Sequence, residues 1–569
     1  MPLSESPVRW PVRAFLRCAA MTLLTAWPAP AQDFTWVKQV GGPLQDDAFV
    51  ASGGAGIVFV GGTAGGDLGG PSVGELDIWL ARYDLAGNPV WIQQFGSTGP
   101  DLATALIADG AGGVYLAGYA SGELFAPFVG GFADAWITRR SSTGVPLWST
   151  QLGTLENDGV GAMALDGAGG VIVGGNTDGH LAAVNLSVGT SDVWLARFDD
   201  AGNMTWLRQF GTAQRDELTA IASDGAGGAF VGGVTYGDLG GVNAGFGDVW
   251  YAHYDALGTR LWLRQLGSPA EDRVTCGASD GAGGAYLCGT TLGALMGPHL
   301  GSVDAWVARI GPLGLGLWSR QFGTAQYEAV AACALRPSGG VYLAGATDGV
   351  LAAGGQGGVD VWMRLVQPNG DVVATKQYGT QAGEVPLGLA VAGLGQVLIS
   401  GVSGGNMTGG GSPPPGAEAW FALDEELCDQ GTTYCVASLT SLPGCQAAIA
   451  SAGTPSASDP SGFTLSSGAI PGGNLGLGVF STNGPASFPL GTLGGKACFL
   501  PPLFRTGAQS GGGTKGVCNG ALTLTLQDLI EAAPVVVPGA VVQLEFWARD
   551  PENADGFLLS NAVQFAVCP

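Results

Sequence analysis

An all-β architecture built from one repeated unit is what this 569-residue sequence predicts, and three observations carry that prediction. A Trp-x-x-Gln-x-Gly signature starting at Trp36 recurs at Trp91, Trp148, Trp206, Trp262 and Trp318, with a seventh copy opening on Ala374. Ten positions after each start stands an acid: Asp46, Asp101, Asp158, Asp216, Asp272, Glu328 and Glu384. An Asp-x-Trp strand follows in each unit, at Asp77, Asp134, Asp192, Asp248, Asp304 and Asp360, with Glu418 opening the seventh. The period is 55 to 58 residues, long enough for four short antiparallel strands. Four-stranded sheets repeated seven times predict a seven-bladed β-propeller, in which each unit buries its faces only against its neighbours.

Each unit reads in the same order. After the acid comes a short alternating stretch, then a tight turn such as Asp109-Gly110-Ala111-Gly112-Gly113, then an apolar strand such as Val114-Tyr115-Leu116-Ala117-Gly118. Asp-Gly and Gly-Gly between two such runs mark a hairpin. A Gly-rich loop leads to the Asp-x-Trp strand, and twelve residues after its Trp the next signature begins. The chain enters on the Trp36 strand and leaves the repeat after Glu418-Ala419-Trp420. If the signature strand is outermost, the first one must complete the last blade, which closes the ring without a covalent link and removes an exposed edge. An open solenoid would need polar capping repeats, and none is visible. A closed ring is expected to be a monomer.

These units resemble the bacterial seven-bladed propeller repeat often called SBBP: an aliphatic strand, D-G-x-G-x-hydrophobic-tyrosine-hydrophobic-x-G, a loop, an Asp-initiated strand and a Trp strand ending in Gly. The resemblance covers residues 36 to 427 and implies an exported or surface-associated bacterial protein, without implying an activity.

Composition agrees with a packed β protein. Gly is abundant at 101 residues, but 46% apolar content and 16 Trp supply a core. The formal charge of −24 disfavours nucleic acid and anionic membranes, which need clustered Lys and Arg. Residues 1–31 read as a secretory leader: Arg9, Arg13 and Arg17, an apolar run from Cys18 to Trp27, and the small residues Ala29-Pro30-Ala31 at the cleavage point. No later stretch is apolar enough to predict a membrane span. A secreted or cell-surface location follows as the expectation. The propeller then occupies 32–427, and residues 428–569 form a second unit.

That second unit has Thr-, Ser- and Val-rich runs such as Ala521-Leu522-Thr523-Leu524-Thr525-Leu526 between Gly and Pro turns, which predicts a β-sandwich. Its six cysteines, Cys428, Cys435, Cys445, Cys498, Cys518 and Cys568, are an even set and predict three disulfides. Their spacings do not match a zinc knuckle, and no His lies nearby. The unit, with its closing Trp547-Ala548-Arg549-Asp550-Pro551, resembles a C-terminal module found after propellers and other repeats in exported bacterial proteins. Within the propeller, Cys276 and Cys288 are equally far from a hairpin, so a cross-strand disulfide is expected there, with Cys333 facing the other way and free.

Unit lengths vary almost wholly in one window, between an apolar anchor (Leu68, Leu124, Leu181, Leu239, Leu295, Leu351, Met407) and the next Asp-x-Trp motif. Variable loops on a fixed scaffold are where binding resides. His180, His299, Phe125 and Phe128 fall in these loops. The seven acids share their rim, which leaves two readings open: a ring of oxygen ligands for a cation such as calcium, or caps on seven identical turns. The Asp-Gly-Ala-Gly-Gly turns lack the ligand spacing of calcium loops. The repeated Trp residues read as blade packing, with Arg82, Arg139, Arg197 and Arg309 expected over neighbouring Trp rings and His253 in the same slot of the fourth blade. No triad order, nucleophile elbow, phosphate loop or His-Glu-x-x-His motif is present, so no catalytic residue and no cofactor are assigned. Two roles remain. One is a non-catalytic extracellular interaction protein that binds a glycan, a cation or a protein. The other is a secreted polysaccharide hydrolase or lyase with its site at the channel mouth.

Overall fold

The computed structural model describes residues 34–41, 46–54, 56–182, 190–337, 339–355, 357–392, 396–408 and 418–425. Beyond these it describes 432–434, 448–452, 460–461, 463–470, 475–481, 485–490, 495–499, 504–510, 520–533, 535–536, 541–549 and 557–566. The leader expected at 1–31 lies outside them.

Seven four-stranded antiparallel sheets form a seven-bladed propeller. In the second blade the strands run Asp101–Ala108, Val114–Ala120, Asp134–Arg140 and Pro146–Leu152, from the axis outward. The inner strands abut one another around the ring, Phe49–Gly54 against Glu384–Val391 included, so the circle is complete. Closure takes the expected form: Trp36–Val40 pairs with Glu418–Glu425 in the seventh blade, with Trp36 opposite Leu423 and Val40 opposite Ala419. Phe34 extends the seam by stacking on Tyr378, with ring centroids 4.4 Å apart.

The second strand of a blade, such as Val114–Ala120, is apolar along its length because neighbouring blades cover both its faces. The Asp-x-Trp tryptophans Trp79, Trp136, Trp194, Trp250, Trp306, Trp362 and Trp420 are fully buried between blades. Each contributes on the order of 3 kcal/mol through burial. The Asp-Gly-Ala-Gly-Gly turns are structural. Asp109 Oδ1 accepts from the Ala111 and Gly113 amides, and Gly110 and Gly112 sit at φ 74° and 95°.

The arginine slot differs from expectation. Arg139, Arg197 and Arg309 bind the turn aspartates Asp109, Asp166 and Asp280 of their own blades, and His253 binds Asp224 in the same way at 2.9 Å. Arg139 and Arg309 lie over Tyr115 and Tyr286. A turn carboxylate within reach holds a guanidinium better than a ring quadrupole does.

The outer tryptophans serve as clamps. Nε1 of Trp36, Trp91, Trp148, Trp206, Trp262 and Trp318 donates to Leu85, Ser142, Asp200, Ala256, Pro312 and Pro368 carbonyls, each in the outermost hairpin of the next blade. A Cβ at Gly202, φ 85°, would meet the Trp148 ring at 2.6 Å, which shows how closely the hairpin is pressed on it. The cross-blade reach also accounts for Ala374. The seventh blade has no outermost hairpin, since its outer strand arrives from the other end of the chain, so a clamp there would have nothing to hold.

In the C-terminal region, Leu475–Ser481, Val541–Arg549 and Phe557–Ala566 pair antiparallel, and Ala448–Ala452, Thr464–Ile470 and Gly520–Thr525 form another sheet. Phe480, Val542, Leu544 and Phe546 from the first set and Leu465, Leu522 and Leu524 from the second share an apolar core. A helix, Leu526–Ala532, was not foreseen; Thr525 and Asp528 form its capping box. Cys428, Cys435, Cys445, Cys518 and Cys568 lie outside the described residues, and Cys498 is described only as part of the strand Gly495–Phe499. No helix among the described residues is long and apolar enough to cross a membrane.

Candidate functional site

The invariant Gln of each signature defines where the variable loops begin. Gln94 Oε1 accepts from the Leu68 and Gly69 amides, while its Nε2 donates to Gly66 O and Asp77 Oδ2. The same clasp holds Leu124, Leu181, Leu239, Leu295, Leu351 and Met407, the last by Gln39 across the closure seam. Each apolar anchor is thus fixed by two elements at once, and length is free to vary only beyond it.

These loops share a rim with the acid-bearing turns, because backbone bonds tie them together. Asp101, Asp158, Asp216 and Asp272 amides donate to Leu76, Ala133, Ser191 and Gly247 carbonyls in the preceding blade's loop. The acids themselves are buried. Asp158 accepts from the Thr154 amide and hydroxyl at 2.6 and 2.9 Å, and Glu384 accepts from Thr380 and from Ser403 Oγ at 3.1 Å. Thr235 and Thr291 hydroxyls donate to Asp216 and Asp272. Each acid therefore joins the turn before its strand to the end of the second strand.

Burial pushes these carboxyls upward: Asp101 and Asp158 to about 6 and Glu384 to about 7, with Asp77, Asp134 and Asp360 adding a like charge from the preceding blade. Asp47 reaches about 7, chiefly by burial and with the like charge of Asp46 adding to it, against stabilising bonds from Thr63.

The loop residues divide. Phe125 is half-buried and packs against the core, its ring 5.9 Å from Trp136 in an edge contact, and Phe128 is half-buried too. His180 and His299 are exposed, and His299 Nδ1 lies 3.4 Å from Asp304 Oδ2. Phe125 and Phe128 share the loop of the second blade, whereas His180 and His299 sit in the third and fifth, so the four are not brought together.

The structure gathers instead a group that the sequence reading passed over. Arg273 Nε is 2.5 Å from Glu271 Oε1, its Nη2 donates to Tyr236 Oη at 2.7 Å, and its Nη1 is 3.3 Å from Glu217 Oε2. Tyr236 Oη donates to Glu271 Oε1 at 3.1 Å, and Arg215 pairs with Glu217. Tyr236 stands just before the anchor Leu239 of the fourth blade, and the variable loop beyond that anchor carries Val242 and Phe246, 83% and 76% exposed. Burial pushes the Tyr236 phenol up to about 12. The signal was present: the slot of Glu217 and Arg273 holds Asp47, Leu102, Gly159, Ala329 and Val385 elsewhere, so only here do adjacent blades place opposite charges in it.

The cross-strand disulfide expected in the fifth blade is not formed. Cys276 and Cys288 are directly opposite, yet both thiols are free, and Cys333 joins them. Blades stack face to face, so a side chain of opposite parity on the next blade points into the same interface.

No family model matches the chain. Among curated proteins it is similar to the regulatory protein FlaEY of Caulobacter vibrioides, 30% identical over 173 residues, which cover 27% of this chain and 18% of that protein. Among solved structures it is similar to a PL25 ulvan lyase bound to -[GlcA(1-4)Rha3S]-, with a TM-score of 0.39 and 11% identity over 67% of this chain and 97% of the lyase. It is also similar to Drosophila Plexin A in complex with Semaphorin 1b, with a TM-score of 0.37 and 10% identity over 69% of this chain and 88% of that one. What this chain itself displays is a seven-bladed propeller with one rim of variable loops.

Proposed function

We propose that this protein is an exported, surface-acting interaction protein whose variable-loop rim binds an extracellular glycan or protein without turning it over. One observation carries the reading: residues repeated in every blade are used to hold blades together, whereas the group that departs from the repeat, Arg215, Glu217, Tyr236, Glu271 and Arg273, lies at that rim. The variable loop of the same blade adds the exposed ring of Phe246. Planar donors and acceptors together with an aromatic face suit the hydroxyls and the apolar face of a sugar ring. The charge of −24 favours a neutral glycan over an acidic one.

A hydrolase or lyase at the same place would need a base or acid tuned toward neutrality. The Tyr236 phenol is displaced the other way, to about 12, which supports binding over turnover. Calcium is a second ligand to test, since Asp134 Oδ1 and Asp248 Oδ1 are buried oxygens that accept no hydrogen bond.

The mature chain applied to a neutral-glycan array, with product analysis on each hit, tests the reading. Binding that persists without product, and is lost in Arg273→Ala and Phe246→Ala, is expected. Product release, or binding indifferent to both substitutions, would contradict it. Calorimetric titration with calcium that gives neither heat nor a gain in thermal stability would remove the cation.

A further inference from the structure

The interface between the fifth and sixth blades holds a cluster that the rim does not use. Cys276 and Cys288 face each other across the first hairpin of the fifth blade, and Cys333 reaches them from the inner strand of the sixth. The three Sγ atoms lie within 4.8 Å of one another, with no carboxylate or imidazole joining them among the described residues. Their surroundings are apolar, including Ala278, Tyr286, Val307, Val330 and Leu343.

Three sulfurs converging from three strands of two blades have a specific coordination chemistry. A planar metal–trithiolate with bonds of about 2.3 Å needs sulfurs about 4 Å apart, within small side-chain rotations of the spacing found. Calcium and magnesium demand oxygen ligands, which the cluster lacks. Zinc takes four ligands, and the described residues offer three. Thiolates favour soft cations, above all monovalent copper. Entry is provided for: Cys288 is buried, but Cys276 and Cys333 are partly exposed on the inner strands that surround the axis.

We propose that Cys276, Cys288 and Cys333 form a three-coordinate site for a soft monovalent cation of the copper class, which ties the fifth blade to the sixth. Binding forms three metal–sulfur bonds, releases the thiol protons to solvent and transfers no electron.

Reduced full-length chain, titrated anaerobically with the acetonitrile complex of monovalent copper against a bathocuproine chelator, tests it. The wild type is expected to retain one more copper equivalent than Cys288→Ser, with affinity at this site falling by more than about 100-fold, beyond what loss of an outer partner costs. X-ray absorption should show about three sulfurs near 2.3 Å, and loading should raise the melting temperature. Cys333→Ala, at a partly exposed position, gives the same comparison should Cys288→Ser fail to fold. Equal copper retention by the wild type and both variants would place the metal elsewhere and overturn the site. So would a Cys276–Cys288 disulfide in protein isolated from its native host, or retention of four-coordinate zinc in preference to copper.

Discussion

Lys376 places its ammonium 3.0 Å from both carboxylate oxygens of Asp424, at the one blade junction where the tryptophan clamp is missing. Tyr378 donates to the same carboxylate. Lys376 stands two residues after Ala374, and Asp424 occupies the end of the strand that pairs with Trp36–Val40. The seam between the sixth and seventh blades is therefore held by an ion pair and a phenol where six other junctions use an indole.

Removing the lysine takes the cation away from a buried carboxylate to which Tyr378 still donates. Lys376→Ala is expected to cost about 2 kcal/mol, below the full cost of breaking a buried pair because the ammonium is partly solvated. A denaturation double-mutant cycle with Asp424→Asn should show coupling between the two, and additive losses would contradict the pairing.

The clamp itself predicts an asymmetry. Trp148→Phe keeps an aromatic ring but removes the bond to Asp200 O, and should lose about 1 kcal/mol. Ala374→Trp, which restores the repeat consensus, should bring no gain, because no hairpin waits in the seventh blade. A rise in melting temperature for Ala374→Trp would refute this account of the irregular copy.

The buried carboxyls predict how stability follows pH. Asp101, Asp158, Glu384 and Asp47 keep their protons in the folded chain up to about 6 or 7, whereas in the unfolded chain they release them near 4. Between those limits the folded state binds more protons, so stability falls as pH rises from about 4 to above 7. Asp84 and Asp199, held down by bonds from Asn88 and Asn203, act in the opposite sense only below about pH 4. Melting curves across pH 4 to 8 check the sign, and a melting temperature that climbs steadily through that range would contradict it.

The fold was legible because repetition makes each unit a witness for the others. Phase alone, from Trp36 to Trp420, placed the first strand in the last blade, and the pairing of Val40 with Ala419 bears that out. Contacts between blades were not legible in the same way. Cys333 differs from Cys276 by one position of phase, so strand parity separates them, while face-to-face stacking brings them together. The rim group escaped for a related reason. Glu217 and Arg273 stand about one repeat apart, and only the ring brings their side chains within 3.3 Å. Positions that match the repeat announce architecture, but the partners of positions that break it are set by the neighbouring blade.

The central claim is a ring closed by a strand that no peptide bond joins to its blade. Thermal unfolding of the chain lacking residues 34–41, compared with the intact mature chain, tests it most directly. Loss of soluble monomer, or a lower and broader transition, is the predicted result, because the deletion exposes the Glu418–Glu425 edge and removes Phe34 and Trp36 from the seam. An unchanged melting curve would contradict it.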